Sequence, residues 1–103
     1  MRINIVGSVT YKNNGSPAEN VEIQLYRLSA DILERIILKK TVTDQDGKYS
    51  ISYYGKCSIY DASWTLKVRA YAPYGYNVEG PASKIIQCTS DTQTFDFQLI
   101  PKP

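Results

Sequence analysis

Thr41-Val42-Thr43-Asp44-Gln45-Asp46-Gly47-Lys48-Tyr49-Ser50-Ile51 is the stretch on which the fold turns. Asp44-Gln45-Asp46-Gly47 has the composition of a tight turn. Its aspartates suit side-chain hydrogen bonds to nearby amides, and its glycine suits the left-handed position. Tyr49, Ile51 and Tyr53 then fall in phase, the period-two pattern of a strand. About two dozen residues upstream the same arrangement occurs. Gly15-Ser16-Pro17 makes a turn, and Val21, Ile23 and Leu25 follow on one face with Glu22, Gln24 and Tyr26 on the other.

Period two extends outward from these two turns. Ile3, Ile5, Gly7, Val9 and Tyr11 share a face of the first strand. A hairpin loop is expected near Ser29–Leu33, where a short helical turn at Ala30–Leu33 also fits, and a strand from about Glu34 to Thr43. After the polar loop Gly55–Ser63, residues Trp64, Leu66, Val68 and Ala70 alternate with Thr65, Lys67, Arg69 and Tyr71. Ala72–Pro81 reads as the longest loop. Ser83–Cys88 and Gln93–Ile100 complete seven strands, the last turning Phe95, Phe97 and Leu99 inward. Seven short strands with frequent turns predict an all-β, antiparallel, Greek-key β-sandwich occupying residues 1–103 as one domain. Its expected core holds Val21, Ile23, Leu25, Trp64, Leu66, Val68, Phe95 and Phe97.

These segments resemble the carboxypeptidase regulatory-like domains, small sandwiches of the transthyretin (prealbumin-like) type. The resemblance rests on Gly7-Ser8-Val9, Gly15-x-Pro17 with Val21-x-Ile23-x-Leu25, Thr43-Asp44-x-Asp46-Gly47-x-Tyr49-x-Ile51, and Phe95-x-Phe97-x-Leu99. It implies a non-catalytic bacterial module appended to a larger protein. Such a module serves protein–protein interaction or structural spacing, for example as an extension of a secretion-system spike or a surface protein. The alternative is a carbohydrate-binding module that uses tyrosine-rich loops.

Composition excludes more than it assigns. The chain has 103 residues, 43% of them hydrophobic, and a net charge of +2. That charge reads as too small and too scattered for a nucleic-acid partner. No apolar run approaches the ~20 residues of a membrane helix, so no membrane insertion is expected. Met1-Arg2-Ile3-Asn4-Ile5-Val6 alternates and shows no signal-peptide core. Pro101-Lys102-Pro103 reads as a strand end entering a stiff linker, so a domain cut from a larger protein is expected, with a short free-standing protein as the alternative. An extracytoplasmic or secreted setting is favoured.

There is no histidine. Serine or cysteine nucleophile systems that depend on a histidine base are therefore excluded. Enzymes on similar sandwiches also rely on histidine. Hydroxyisourate hydrolases use histidines with an arginine, and intradiol dioxygenases bind iron through two His and two Tyr. The chain is accordingly expected to be no enzyme and to need no cofactor. An internal isopeptide bond, known in some relatives of this fold, wants an inward lysine on the first strand, and none is present.

Three sets of candidates remain. Asp44 and Asp46 open like a calcium loop, but Gly55 stands where the twelfth-position glutamate belongs, so the turn is preferred to the metal. Cys57 and Cys88 are open between a disulfide and two free thiols. Tyr60, Tyr74, Tyr76 and Asn77 lie in the two long loops. Exposed tyrosines on loops supply contact area at low entropy cost, so these four are the partner-binding candidates. The partner would be a protein or a neighbouring domain, with a glycan as the alternative.

Overall fold

Ile3, Ile5 and Val9 are buried along β1 (Arg2–Tyr11), a ten-residue strand paired on both sides within one sheet. The computed structural model describes residues 1–28 and 34–103. The expected hairpin loop at Ser29–Leu33 and its helical-turn alternative lie outside the described residues. The remaining strands are β2 (Glu22–Leu28), β3 (Arg35–Val42), β4 (Lys48–Tyr54), β5 (Lys67–Tyr71), β6 (Tyr76–Val78), β7 (Ser83–Ile85), β8 (Gln93–Thr94) and β9 (Phe97–Pro101). Among the described residues one 3-10 turn occurs, Ala62–Trp64.

Two sheets face each other. One runs β4-β1-β9-β6, with β8 also paired to β1, and the other runs β3-β2-β5-β7. Between them lies a core of Ile3, Ile5, Val9, Val21, Ile23, Leu25, Tyr49, Ile51, Leu66, Val68, Phe97 and Leu99. All-β architecture and two packed sheets agree with the sequence. The strand count does not, because nine strands are described instead of seven. The stretch Gln93–Ile100 is cut at Phe95–Asp96, and a strand, β6, lies inside the expected loop Ala72–Pro81. Nor is every pairing antiparallel. β1 pairs in parallel with both β8 and β9, at Ile5↔Gln93 and Val9↔Phe97.

The cut has a local cause. At Gly7, the Phe95 carbonyl and the Tyr49 ring occupy the space a side chain would need. The Phe95 amide donates to the Val6 carbonyl at 2.9 Å, and the Tyr49 hydroxyl donates to the Phe95 carbonyl at 2.6 Å. Asp96 turns out of the ladder, and its Oδ1 accepts from the Ser8 amide at 2.8 Å and the Ser8 hydroxyl at 3.1 Å. Burial, and then the nearby Asp96 carboxylate, push the Tyr49 phenol well above its ordinary range. It therefore stays protonated as the donor.

Two expected core residues sit elsewhere. Phe95 is only half-buried, packed against the core from the break between β8 and β9. Trp64 is half-buried in the 3-10 turn and outside the core, since strand β5 begins at Lys67. Asp61 winds this turn by accepting from the Ser63 amide at 3.1 Å and hydroxyl at 2.7 Å. On β2, Gln24 and Tyr26 do face outward, yet both are buried, Tyr26 to 4% exposure. Neither belongs to the cluster between the sheets.

Leu66 is fully buried. Leu66→Ala should cost about 2–5 kcal/mol by urea unfolding, the range for a cavity left in a packed core. A change under about 0.5 kcal/mol, typical of a surface site, would contradict this placement. Tyr49 gives a pH signature. The unfolded phenol ionises near pH 10, where the folded one remains neutral. Its stabilising contribution is complete below about pH 10 and falls as pH rises through the higher folded value. Tyr49→Phe should lose about 1 kcal/mol at neutral pH and show a flatter decline between about pH 9 and 11. Equal alkaline slopes for the two proteins would remove Tyr49 as the source.

Candidate functional site

The Asp44 turn is built as a backbone clamp. Asp44 Oδ1 accepts from the Asp46 amide at 2.9 Å and from the Lys48 amide at 3.0 Å. The Asp44 carbonyl accepts from the Gly47 amide at 2.9 Å, and Gly47 has φ of 73°, a left-handed position that favours glycine. Thr43, just before it, is buried. Its Oγ1 accepts from the Val21 amide at 2.9 Å and donates to the Ala18 carbonyl at 2.5 Å. The turn is thus tied to the Ala18–Val21 segment that leads into β2. Asp46 is exposed, and no group of three metal-ligating side chains occurs among the described residues.

Cys57 and Cys88 are joined by a disulfide with Cα atoms 5.5 Å apart. It ties the loop after β4 to the segment after β7, and an open hollow of about 690 Å³ lies beside it, lined in part by Ile59, Tyr60 and Gln87. Tyr60 is 94% exposed there. Within the same loop, two cations lie over the Trp64 ring, the Arg27 guanidinium at 4.1 Å and the Lys56 ammonium at 5.2 Å from its centre. Hydrogen bonds from Ser63 hold the Asp61 carboxyl below its usual range.

The four partner-binding candidates are not gathered into one site. Tyr60 lies at the end of the molecule where the Gly55 amide meets the Met1 carbonyl. Tyr74, Tyr76 and Asn77 lie at the other end of β1, where Tyr76 packs on Tyr11 with ring centres 5.1 Å apart. A ten-residue strand separates them, roughly 30 Å at ~3.3 Å per residue. Nor do Tyr74 and Tyr76 project together. Tyr74 is fully exposed beside Gly75, whereas Tyr76 is half-buried in β6, whose backbone pairs with β9. The sequence reading of this loop missed β6 because Pro73, Gly75, Gly80 and Pro81 dominate its composition.

No family model matches the chain, and no curated protein matches it either. Solved structures do match. The TIE protein of Bacillus anthracis aligns over 96% of this chain and 17% of its own, at 16% identity and a TM-score of 0.62. The shaft pilin SpaA of Lactobacillus rhamnosus GG aligns over all of this chain and 50% of its own, at 10% identity and a TM-score of 0.61. The 3-chlorocatechol 1,2-dioxygenase of Rhodococcus opacus 1CP aligns over 95% of this chain and 59% of its own, at 10% identity and a TM-score of 0.55. This chain therefore spans less than two thirds of each. At such identities the likeness is one of fold, the β-sandwich, and fold alone assigns no activity.

The two ring environments make separable predictions. Tyr76→Ala should destabilise the domain by about 2 kcal/mol or more, because a packed ring is removed. Tyr74→Ala should change stability by no more than about 0.5 kcal/mol, as at a surface site. Paired urea melts check both, and a large loss for Tyr74→Ala would mean that its ring is packed after all.

Proposed function

We propose that this chain is a non-catalytic β-sandwich module of a surface or pilus-type protein. It works outside the cytoplasm, and either spaces neighbouring domains or contacts a protein partner. One observation carries the reading. The whole chain corresponds in fold to parts of a TIE protein and of a shaft pilin, each a longer chain. The missing histidine supports a non-catalytic role. So does the use of the aspartates, since Asp44, Asp61 and Asp96 hold turns together through amides and hydroxyls.

The finer kinship proposed is with the carboxypeptidase regulatory-like, transthyretin-type Greek-key sandwiches. Thr43-Asp44-x-Asp46-Gly47-x-Tyr49 supports it, with Thr43 buried, Asp44 clamping two amides and Tyr49 in the core. The carbohydrate-binding alternative is less well supported. A sugar site wants several aromatic rings around one hollow, and Tyr60 and Tyr74 stand at opposite ends of β1.

The test is protease shaving of intact producing cells, with the chain followed by a specific antibody. The expected result is loss of the signal from intact cells, or its presence in the medium, while a cytosolic marker stays protected. Protection of the chain until the cells are lysed would overturn the surface reading.

A further inference from the structure

A near-neutral total hides an uneven distribution of charge. The strands of the β3-β2-β5-β7 sheet carry seven of the chain's 12 Lys and Arg residues, and Glu22 is their only acid. Register places four of the seven on the sheet's outer face. Val68 and Ala70 of β5 are in the core, so Lys67 and Arg69 face away from it. Lys40 pairs with outward Gln24, which in turn pairs with Arg69. Arg35 belongs to the same face, because its guanidinium lies over the Tyr26 ring, 5.8 Å from its centre, and donates to the Tyr71 hydroxyl at 2.7 Å.

Outward Tyr26 is buried, with Arg35 over its ring and its hydroxyl 2.6 Å from the Ser83 hydroxyl. The Arg69 guanidinium lies over the Tyr71 ring, 5.2 Å from its centre, and its Nε is buried without a hydrogen-bond partner in the described structure. Three branched apolar residues share the face. Ile37 pairs with Tyr26, Val42 with Glu22 and Ile85 with Lys67, and the three are 50%, 53% and 62% exposed. Cations and exposed apolar groups thus alternate across one continuous surface.

The geometry points to this sheet face as a docking surface for an acidic protein, one that presents carboxylates around apolar side chains. The inference deepens the module reading above and rests on it. Charge complementarity selects an anionic partner and sets its approach and register. The apolar residues select a protein among anionic partners. Sugar rings and bases stack on open aromatic faces, and Tyr26 is covered here while Tyr71 is half-buried with its hydroxyl engaged. A polysaccharide or a phosphate backbone would leave Ile37, Val42 and Ile85 unmatched. Apolar side chains of a partner, ringed by carboxylates, would cover them and meet the Arg and Lys groups, in the pattern of an interface core with a polar rim.

The experiment uses the purified chain and a fluorescent random copolymer of glutamate and tyrosine, with polyglutamate, heparin and polyuridylate as competitors. The copolymer should bind more tightly than polyglutamate. Lys40→Glu with Lys67→Glu should weaken it by about tenfold or more, as truncated charge pairs do. Ile37→Ser with Ile85→Ser should remove its advantage over polyglutamate. Lys48→Glu with Lys102→Glu, equal in charge but away from this face, should leave binding unchanged. Melting curves accompany every variant. If the double glutamate variant does not fold, Lys40→Gln with Lys67→Gln replaces it with the same direction expected. No copolymer binding, equal loss in the Lys48 and Lys102 variant, or tighter binding of heparin or polyuridylate would each overturn the proposal. Shaving reads location and this assay reads the face, so each can fail while the other stands.

Discussion

Everything in the five-stranded sheet depends on how the chain's last segment passes Gly7. A straight strand beside β1 would continue from Gln93 to Ile100, but the Phe95 carbonyl moves into the place a side chain would take at Gly7. Three groups make the detour stable. Gly7 gives the room, Tyr49 donates to the displaced carbonyl, and the Asp96 carboxylate accepts the Ser8 amide that the ladder would otherwise leave open. An unpaired buried backbone group costs about 1–3 kcal/mol, so such replacements are needed wherever a ladder breaks. The detour keeps β8 and β9 on the same strand in parallel register, and β9 then carries β6. The order of the sheet follows from that one crossing.

Local pattern revealed most of the strands, since β1, β2, β4 and β5 alternate between turn residues, whereas Arg35–Val42 does not alternate cleanly and reads as a strand only from its β-rich context. What it missed is non-local. Thr94-Phe95-Asp96-Phe97 has no glycine or proline, and its alternation is unbroken. The cause of its break is Gly7, 88 residues earlier in the chain. Trp64 failed for a different reason. Trp64, Leu66 and Val68 are in phase on paper, but Asp61 caps a 3-10 turn over Ala62–Trp64 and takes the indole out of the strand. There the ring meets the cations of Arg27 and Lys56, partners 37 and 8 residues away in sequence. Cation–π attraction of this kind contributes about 0.5–1 kcal/mol at exposed sites and more when desolvated.

The candidate surfaces were legible only in part. Long loops drew attention to Tyr60, Tyr74, Tyr76 and Asn77, and exposure agrees for Tyr60, Tyr74 and Asn77. Sequence cannot say that β1 runs between them, because that needs the pairing of Met1 with Gly55 and of Lys12 with Leu99. The outer face of the second sheet was less visible still. Outward positions such as Gln24 and Tyr26 look like solvent contacts when each strand is read alone. Their burial is produced by neighbours two strands wide, which only register identifies.

Charge segregation in this fold has a chemical origin. Of the nine acidic residues described, only Glu22 lies in a strand, while nine of the 12 basic residues do. Short carboxylates are useful where amides need acceptors, and Asp44, Asp61 and Asp96 are each committed in that way to a turn or a strand break. Lys and Arg bring long apolar stems that can lie along a sheet while their heads reach water. On β3 and β5, the Arg35 guanidinium lies over Tyr26, and Lys40 and Arg69 flank Gln24 in register, so outward residues of β2 are buried beneath or beside cationic side chains. Among the described residues these strands supply one acid to the face, Glu22, whose carboxylate accepts from the Gln24 amide at 2.9 Å. Burial of the sheet's outer side and accumulation of positive charge on it are therefore one event, and a folded chain of net charge +2 can present a face far more basic than its total.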